Sequence, residues 1–409
     1  MTNRPMAGVR VLEVAQFTFT PAAGAVLADW GADVVKVEHA VMGDAQRGIK
    51  IGTGGTAAGS FQPLMEHPNR GKRSIGIALE TEGGRDLLDD LIRQSDVFLT
   101  NFLPSARTKL RIDVDDVRAV NPKIIYARGS AFGVRGVEAT EGGYDLSAFW
   151  CRGGSAYGAT PEGSKNIAMM PSGAYGDSMG GMTIAGGISA ALFHRERTGE
   201  PSVIDVSLLS LASWVTALSI SNALLTGENP ARTQLNGPAH LPVNPIVGTF
   251  RTSDDRFINL TMLQAGRYWA DVCRHIGRDD LIEDDRFDSA EKLMANAMQA
   301  GEAVAEAIGA KPYAYWLEKF QTLDGQWAPV QSPLEVAADA QVRANGYIVP
   351  IVDADGNDRE LVSSPVQFDE TPFDLTRGPQ FAEHTDEIVR ELGRTDDELI
   401  QLKLDGAIT

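Results

Sequence analysis

A chain of 409 residues, 43% hydrophobic and 22% charged, holds material for more than one hydrophobic core, which excludes a disordered, fibrous or collagen-like protein. Its 55 acidic residues outnumber 37 basic ones, and the net charge of −18 opposes nonspecific adhesion to nucleic acid or anionic lipid, so an anionic ligand requires a local group of cations. Two cysteines without CxxC spacing suit a reducing compartment, and six histidines without HExxH spacing supply no metal motif.

Met1 to Arg10 contains no apolar run of the secretory type, and the expected location is the cytoplasm. Val9 to Val14 reads as a buried strand, Pro21 to Trp30 as a helix and Asp33 to Glu38 as a second strand. That order makes a βαβ unit and hence a parallel sheet. Ser74 to Leu79, Asp96 to Thr100 and Lys123 to Ala127 extend the pattern as strands, with a helix over Thr81 to Gln94. A glycine-rich stretch from Gly129 to Gly181 has little periodicity, as active-site loops often do, and precedes one long helix over Met179 to Arg197. Val203 to Val206 is the next strand. The apolar stretch Leu208 to Leu225 is interrupted by Ser210, Ser213, Thr216, Ser219, Ser221 and Asn222, which favours a buried or interface helix over a membrane span. From Gly248 the texture changes to a hairpin over Thr249 to Met262, turning at Ser253-Asp254-Asp255, and then to amphipathic helices up to Phe320. A β section up to Phe368 and a final helix over Thr385 to Leu392 follow.

Asp177 stands just ahead of the long helix in Ala174-Tyr-Gly-Asp-Ser-Met-Gly-Gly-Met182. A carboxylate there meets free backbone N–H groups and the positive end of the helix dipole, which would keep it ionised. An ionised, accessible carboxylate can attack a thioester carbonyl, and Gly176, Gly180 and Gly181 would leave room for the substrate. On local sequence alone, a plain capping role is the more economical account. Asn69-Arg70-Gly-Lys72-Arg73 offers cations for a phosphate, and a solvated turn explains it equally well. The first βα turn, Ala15 to Gly24, lacks GxGxxG although Glu38 ends the next strand, so a nicotinamide dehydrogenase is a weak alternative. Cys151 has no histidine partner and is expected to be a buried structural thiol.

Many short segments in one order resemble the family III CoA-transferases, which include the α-methylacyl-CoA racemases. They are Leu27 to Glu38, Asn69-Arg-Gly-Lys-Arg-Ser-Ile75, Asn101-Phe102, Asn121-Pro122, Gly176-Asp-Ser-Met-Gly-Gly-Met182, Arg195-Glu-Arg-Thr-Gly199, Val203 to Val206, Asp285-Arg-Phe287, Ser364-Pro-Val366 and Glu383 to Glu387. The resemblance implies an α/β fold. A large Rossmann-like domain with a parallel sheet, residues 1–225 completed by 330–409, carries a smaller α+β domain over 226–329, and two chains interlock as a homodimer. It implies transfer of CoA from an acyl-CoA thioester to a free carboxylic acid through a covalent intermediate on Asp177, with coenzyme A as substrate and no permanently bound cofactor or metal. Lys72, Arg73, Asn101, Phe102 and Lys109 would line the CoA site, and Gln16 and Thr18 would face the thioester.

Several positions depart from the family. His39 stands where an arginine often meets a CoA phosphate, Gln16-Phe-Thr-Phe-Thr20 replaces smaller residues, and Asn236-Gly-Pro-Ala-His-Leu-Pro242 replaces a glycine run. A larger acyl group beside Phe149 and Trp150 is expected. In the racemases a Gly-His-Asp segment supplies a proton-transferring histidine; here it reads Gly143-Tyr144-Asp145, with Tyr144 expected in the pocket wall. A tyrosine is poorly matched to proton abstraction near neutral pH, so transferase is favoured over racemase or a CoA-ester-binding protein without turnover.

Overall fold

The computed structural model describes residues 4–49, 59–235 and 237–409, and the chain forms two units. The larger comprises Met1–Thr160, Asn166–Ala231 and Ala340–Thr409. Its six strands are β1 (Arg10–Val14), β2 (Asp33–His39), β3 (Arg73–Ile77), β4 (Val97–Thr100), β5 (Ile125–Ser130) and β6 (Val203–Ser207). All pair in parallel, in the order β3-β2-β1-β4-β5-β6. Successive strand residues face opposite sides, and both sides are apolar. Val11, Val34 and Leu99 enter one core, while their neighbours Leu12, Val35 and Phe98 enter the other. This two-sided burial is why the strands are rich in Val, Leu and Ile, although Glu13, Lys36 and Glu38 are buried within them.

The helices before the second unit are α1 (Phe19–Asp29), α2 (Pro63–Asn69), α3 (Glu82–Arg93), α4 (Pro104–Leu110), α5 (Val114–Val120), α6 (Ser155–Ala159), α7 (Tyr175–Thr198), α8 (Leu208–Val215) and α9 (Ala217–Thr226). The helix expected from Met179 begins four residues earlier, so Asp177 lies inside its first turn. Its glycines Gly180 and Gly181 are explained by packing. A Cβ on Gly180 would lie 2.0 Å from the Phe19 ring, and one on Gly181 would lie 2.5 Å from the Ala22 Cβ, so α1 can approach α7 only because both are bare. The stretch from Leu208 to Leu225 is two helices bent by 70°, not one, and among the described residues no single helix is long and apolar enough to cross a membrane. At the break the Thr216 hydroxyl donates to the carbonyls of Ala212 and Gly153.

The return segment covers the outer edge of β3. The His384 and Thr409 amides donate to the Ser74 and Gly76 carbonyls, and Ile408 bridges Ile77. Besides the expected helix (Thr385–Glu391), it contains a hairpin (Ile348–Val352 with Asp358–Val362) and a helix, Asp396–Leu404, that the sequence pattern does not mark.

The smaller unit, Pro161–Lys165 and Arg232–Asp339, has an antiparallel sheet of β7 (His240–Leu241), β8 (Asn244–Arg251), β9 (Phe257–Thr261) and β10 (Trp327–Pro329), in the order β10-β9-β8-β7. β8 and β9 form the expected hairpin, and Asp255 takes the left-handed conformation its turn requires. Phe250, Trp269, Trp316 and Phe320 fill its core. Asn236, the first residue of the unusual 236–242 loop, lies outside the described residues.

Candidate active site

Strand order reverses between β1 and β4, and in open parallel sheets ligands bind outside the carboxyl ends of the strands at such a point. A cavity of about 640 Å³ opens there. The loop after β1 supplies Phe17 and the start of α1 supplies Phe19. Asn101, Phe102 and Leu103 follow β4, Gly129 and Ser130 end β5 with Ala131 just beyond, and Gly142 to Asp145 close one wall. Asp177 faces the same cavity from the first turn of α7.

Asp177 does not cap that helix. The cap position is Ala174, at φ 59° and without a side-chain acceptor. Asp145, buried on a one-turn π-helix (Asp145–Cys151), reaches across instead, and its carboxylate oxygens accept from the Gly176 amide at 3.0 and 3.2 Å. Gly176 has to be glycine for this, since a Cβ would meet Asp145 at 2.4 Å. Burial raises the pKa of Asp145, and the amides of Tyr175, Gly176 and Asp177 act against that rise.

Asp177 itself is partly buried, and among the described residues nothing donates a hydrogen bond to its carboxylate. Burial, and then the charge of Asp145, push it from its ordinary 3.8 to about 7. The expectation that the helix start keeps Asp177 ionised is therefore corrected: Asp145 already occupies the amides that would do so. Nor do Gly176, Gly180 and Gly181 leave room for substrate, because Asp145, Phe149, Phe19 and Ala22 fill that space.

Of the expected CoA-site residues, Asn101, Phe102 and Tyr144 line the cavity with Asp177. Asn101 also holds the loop after β1, accepting from the Gln16 amide at 3.0 Å and donating to the Gln16 carbonyl at 2.6 Å. Thr18 is turned inward, its hydroxyl donating to Gln46 Oε1 at 2.9 Å.

The expected phosphate clamp does not form. Lys72 is fully enclosed, with Nζ 2.6 Å from Glu13 Oε2 and 2.8 Å from the Pro21 carbonyl, and burial lowers its pKa to about 8. Arg73 is spent on Asp33, Glu387 and Glu391 at 2.8–3.0 Å. Lys36 lies beside Glu13 at 3.2 Å and Asp44 at 2.8 Å, so buried charges join β1, β2 and Lys72, the residue before β3. Burial opposes the Lys36 charge, but Asp44, Glu13 and Glu38 outweigh it and raise its pKa.

His39 pairs with Glu80 at 3.3 Å, and Lys109 lines a separate surface cleft that includes Glu80 and Arg111. Phe149 and Trp150, expected beside the acyl group, are buried in the core, whereas Cys151, expected to be buried, is exposed.

The residues the sequence did not single out are Asp145, Arg107 and Arg128, whereas Phe17 and Phe19 belong to the unusual run Gln16 to Thr20. Asp145 was visible only as the neighbour of Tyr144. Arg107 lies 3.3 Å from Asp113, and Arg128 pairs with Asp205, so both cavity arginines already have carboxylate partners. Among the described residues no group of three His, Cys, Asp or Glu is placed to hold a metal ion.

A model of the CoA-transferase family III matches residues 6–385. The (R)-2-hydroxy-4-methylpentanoate CoA-transferase of Clostridioides difficile is 28% identical over 97% of this chain and 97% of its own length. The succinate–glutarate CoA-transferase of Agrobacterium fabrum is 31% identical over 96% and 97%. Among solved structures, a CAIB/BAIF family protein from Brucella suis superposes with a TM-score of 0.81 at 28% identity, covering 96% of this chain and all of that one.

Proposed function

Because the chain belongs to CoA-transferase family III, an enzyme family acting on acyl-CoA and carboxylate substrates, we propose that the side chain of Asp177 carries the transfer as a covalent nucleophile. The observation behind this is a carboxylate facing a large cavity, unbonded and raised to about 7 by burial and by Asp145. A more basic carboxylate is a better nucleophile in its ionised fraction, and near neutral pH a substantial fraction is ionised. An Asp177 Oδ adds to the thioester carbonyl, the C–S bond breaks and CoA leaves as thiolate, giving a mixed anhydride. The thiolate then attacks the Asp177 carbonyl, releasing the first acid and leaving an aspartyl-CoA thioester. The acceptor carboxylate takes the place of the first acid in the reverse sequence. Acylation removes a charge from a partly buried position beside Asp145, so the enzyme relieves a repulsion as the first bond forms.

Asn101 and Phe102 lead into α4, whose last turn carries Lys109, and five residues of helix span about 8 Å. A CoA lying along α4, with its thioester over Asp177, would bring its phosphates toward Lys109 and His39. Among the described residues no histidine lines the cavity, and Tyr144 stands in its wall, which favours transfer over α-proton exchange.

The test is intact mass spectrometry after mixing the protein with acyl-CoA alone. Wild type should gain a hydroxylamine-sensitive adduct that maps to Asp177, and Asp177→Asn should lose both the adduct and turnover by at least about 1000-fold. Near-normal turnover in Asp177→Asn would refute the mechanism.

A further inference from the structure

We infer that Phe17, held in a left-handed conformation against Tyr144, selects apolar acyl groups, aryl ones above all, and disfavours those ending in a second carboxylate. This rests on the reading of Asp177 as the nucleophile. Phe17 has φ 65°, which an aromatic residue adopts only under constraint from its surroundings. The constraint is visible on both sides. Asn101 grips both backbone groups of Gln16, and the Phe17 amide donates to Asp44 Oδ1 at 3.2 Å. Asp44 is itself buried, 2.8 Å from Lys36, and accepts a second bond from the Gln46 amide at 2.9 Å. The buried charges of β1 and β2 thus anchor a residue of the substrate cavity.

The strained backbone places the Phe17 ring edge-on to Tyr144, with centroids 5.6 Å apart and planes at 86°. Tyr144 is 67% exposed, and the Phe17 ring packs against it. Phe17, Phe19, Phe102 and Tyr144 surround the cavity that Asp177 faces, with Leu103 and Leu208 adding aliphatic surface. Aromatic walls favour an aryl group through edge-to-face contact as well as burial. They offer a second carboxylate no uncommitted cation, because among the described lining residues the cations are Arg107 and Arg128, which already pair with Asp113 and Asp205.

The experiment compares kcat/KM for 3-phenylpropionyl-CoA, acetyl-CoA and succinyl-CoA, with a common acceptor acid, in wild type, Phe17→Gly, Phe17→Ala and Tyr144→Ala. Wild type should prefer the phenylpropionyl ester over each of the others by tenfold or more, and each variant should cut that preference by about tenfold. Phe17→Gly, which tolerates the positive φ, should melt at least as high as Phe17→Ala, so lost selectivity cannot be put down to misfolding. A preference that is absent in wild type, or unchanged in all three variants, overturns the inference, as does an equal fall in kcat for every ester. Adduct mass on wild type is read in the same samples. No adduct from any ester would refute the Asp177 reading, and the turnover ratios would still judge Phe17.

Discussion

Asp177 and Asp145 divide two tasks that the sequence presents as one. A carboxylate at the start of a helix invites a capping role, and the structure gives that role to Asp145, 31 residues before Gly176. Because Asp177 is raised to about 7, adduct formation should climb with pH to a plateau with its midpoint near 7. Asp145→Asn keeps an oxygen for the Gly176 amide but removes the neighbouring charge, so that midpoint should move down; pH-jump rates of acylation would show it. The same shift weakens the fold. A carboxyl whose folded-state pKa lies above its unfolded value costs nothing below about pH 4, and its penalty grows until about pH 7. Asp177→Asn should therefore melt higher than wild type at pH 8 and alongside it at pH 4, which calorimetry would register. Asp177 could be picked out from its own neighbours in sequence, but Asp145 could not, since no local pattern couples residues so far apart. Lys72 and Arg73 misled for a related reason: a cation in a sequence does not announce its partner, and Glu13 lies 59 residues from Lys72.

The strands were legible because both faces of the sheet are buried, which leaves β-branched and leucine-rich runs such as Val9 to Val14 despite Arg10 and Glu13. Helix ends were less so. α7 starts at Tyr175 because its first amides are satisfied by a side chain from elsewhere, and the helix Asp396–Leu404 has no strong apolar face to mark it. The glycines of α7 are noticeable in the sequence, but their purpose depends on where α1 lies. Gly181→Ala should cost about 1–3 kcal/mol in denaturant unfolding, because its Cβ would come within 2.9 Å of the Ala22 backbone, which cannot yield as a side chain could. Gly186→Ala, with nothing within 4 Å, should instead gain about 0.5–1 kcal/mol from helix propensity. Equal effects at the two positions would discard the packing explanation.

At the scale of the molecule, α8 and α9 leave an apolar surface open. Trp214, Leu218 and Leu225 are 79%, 86% and 85% exposed, and α9 buries no residue at all. Patches of this kind mark association surfaces, and we propose that a second copy of the chain covers this one. Light scattering should give twice the chain mass, and if the copies interlock, dilution should not reduce it; a mass of one chain would dismiss the idea. The larger unit is also discontinuous, with consequences for how the protein is made. Asp29 binds Arg70 at 2.7 Å and also accepts from the Ser364 amide, 335 residues further on. As the ribosome releases the chain, all six strands and every residue lining the cavity emerge before the segment that covers β3 exists. The newborn protein thus carries a finished cavity on an unfinished sheet, its outer edge open to other strands until the last helices arrive. Translation speed from the end of β6 to Thr409 therefore sets how long that edge stays unguarded.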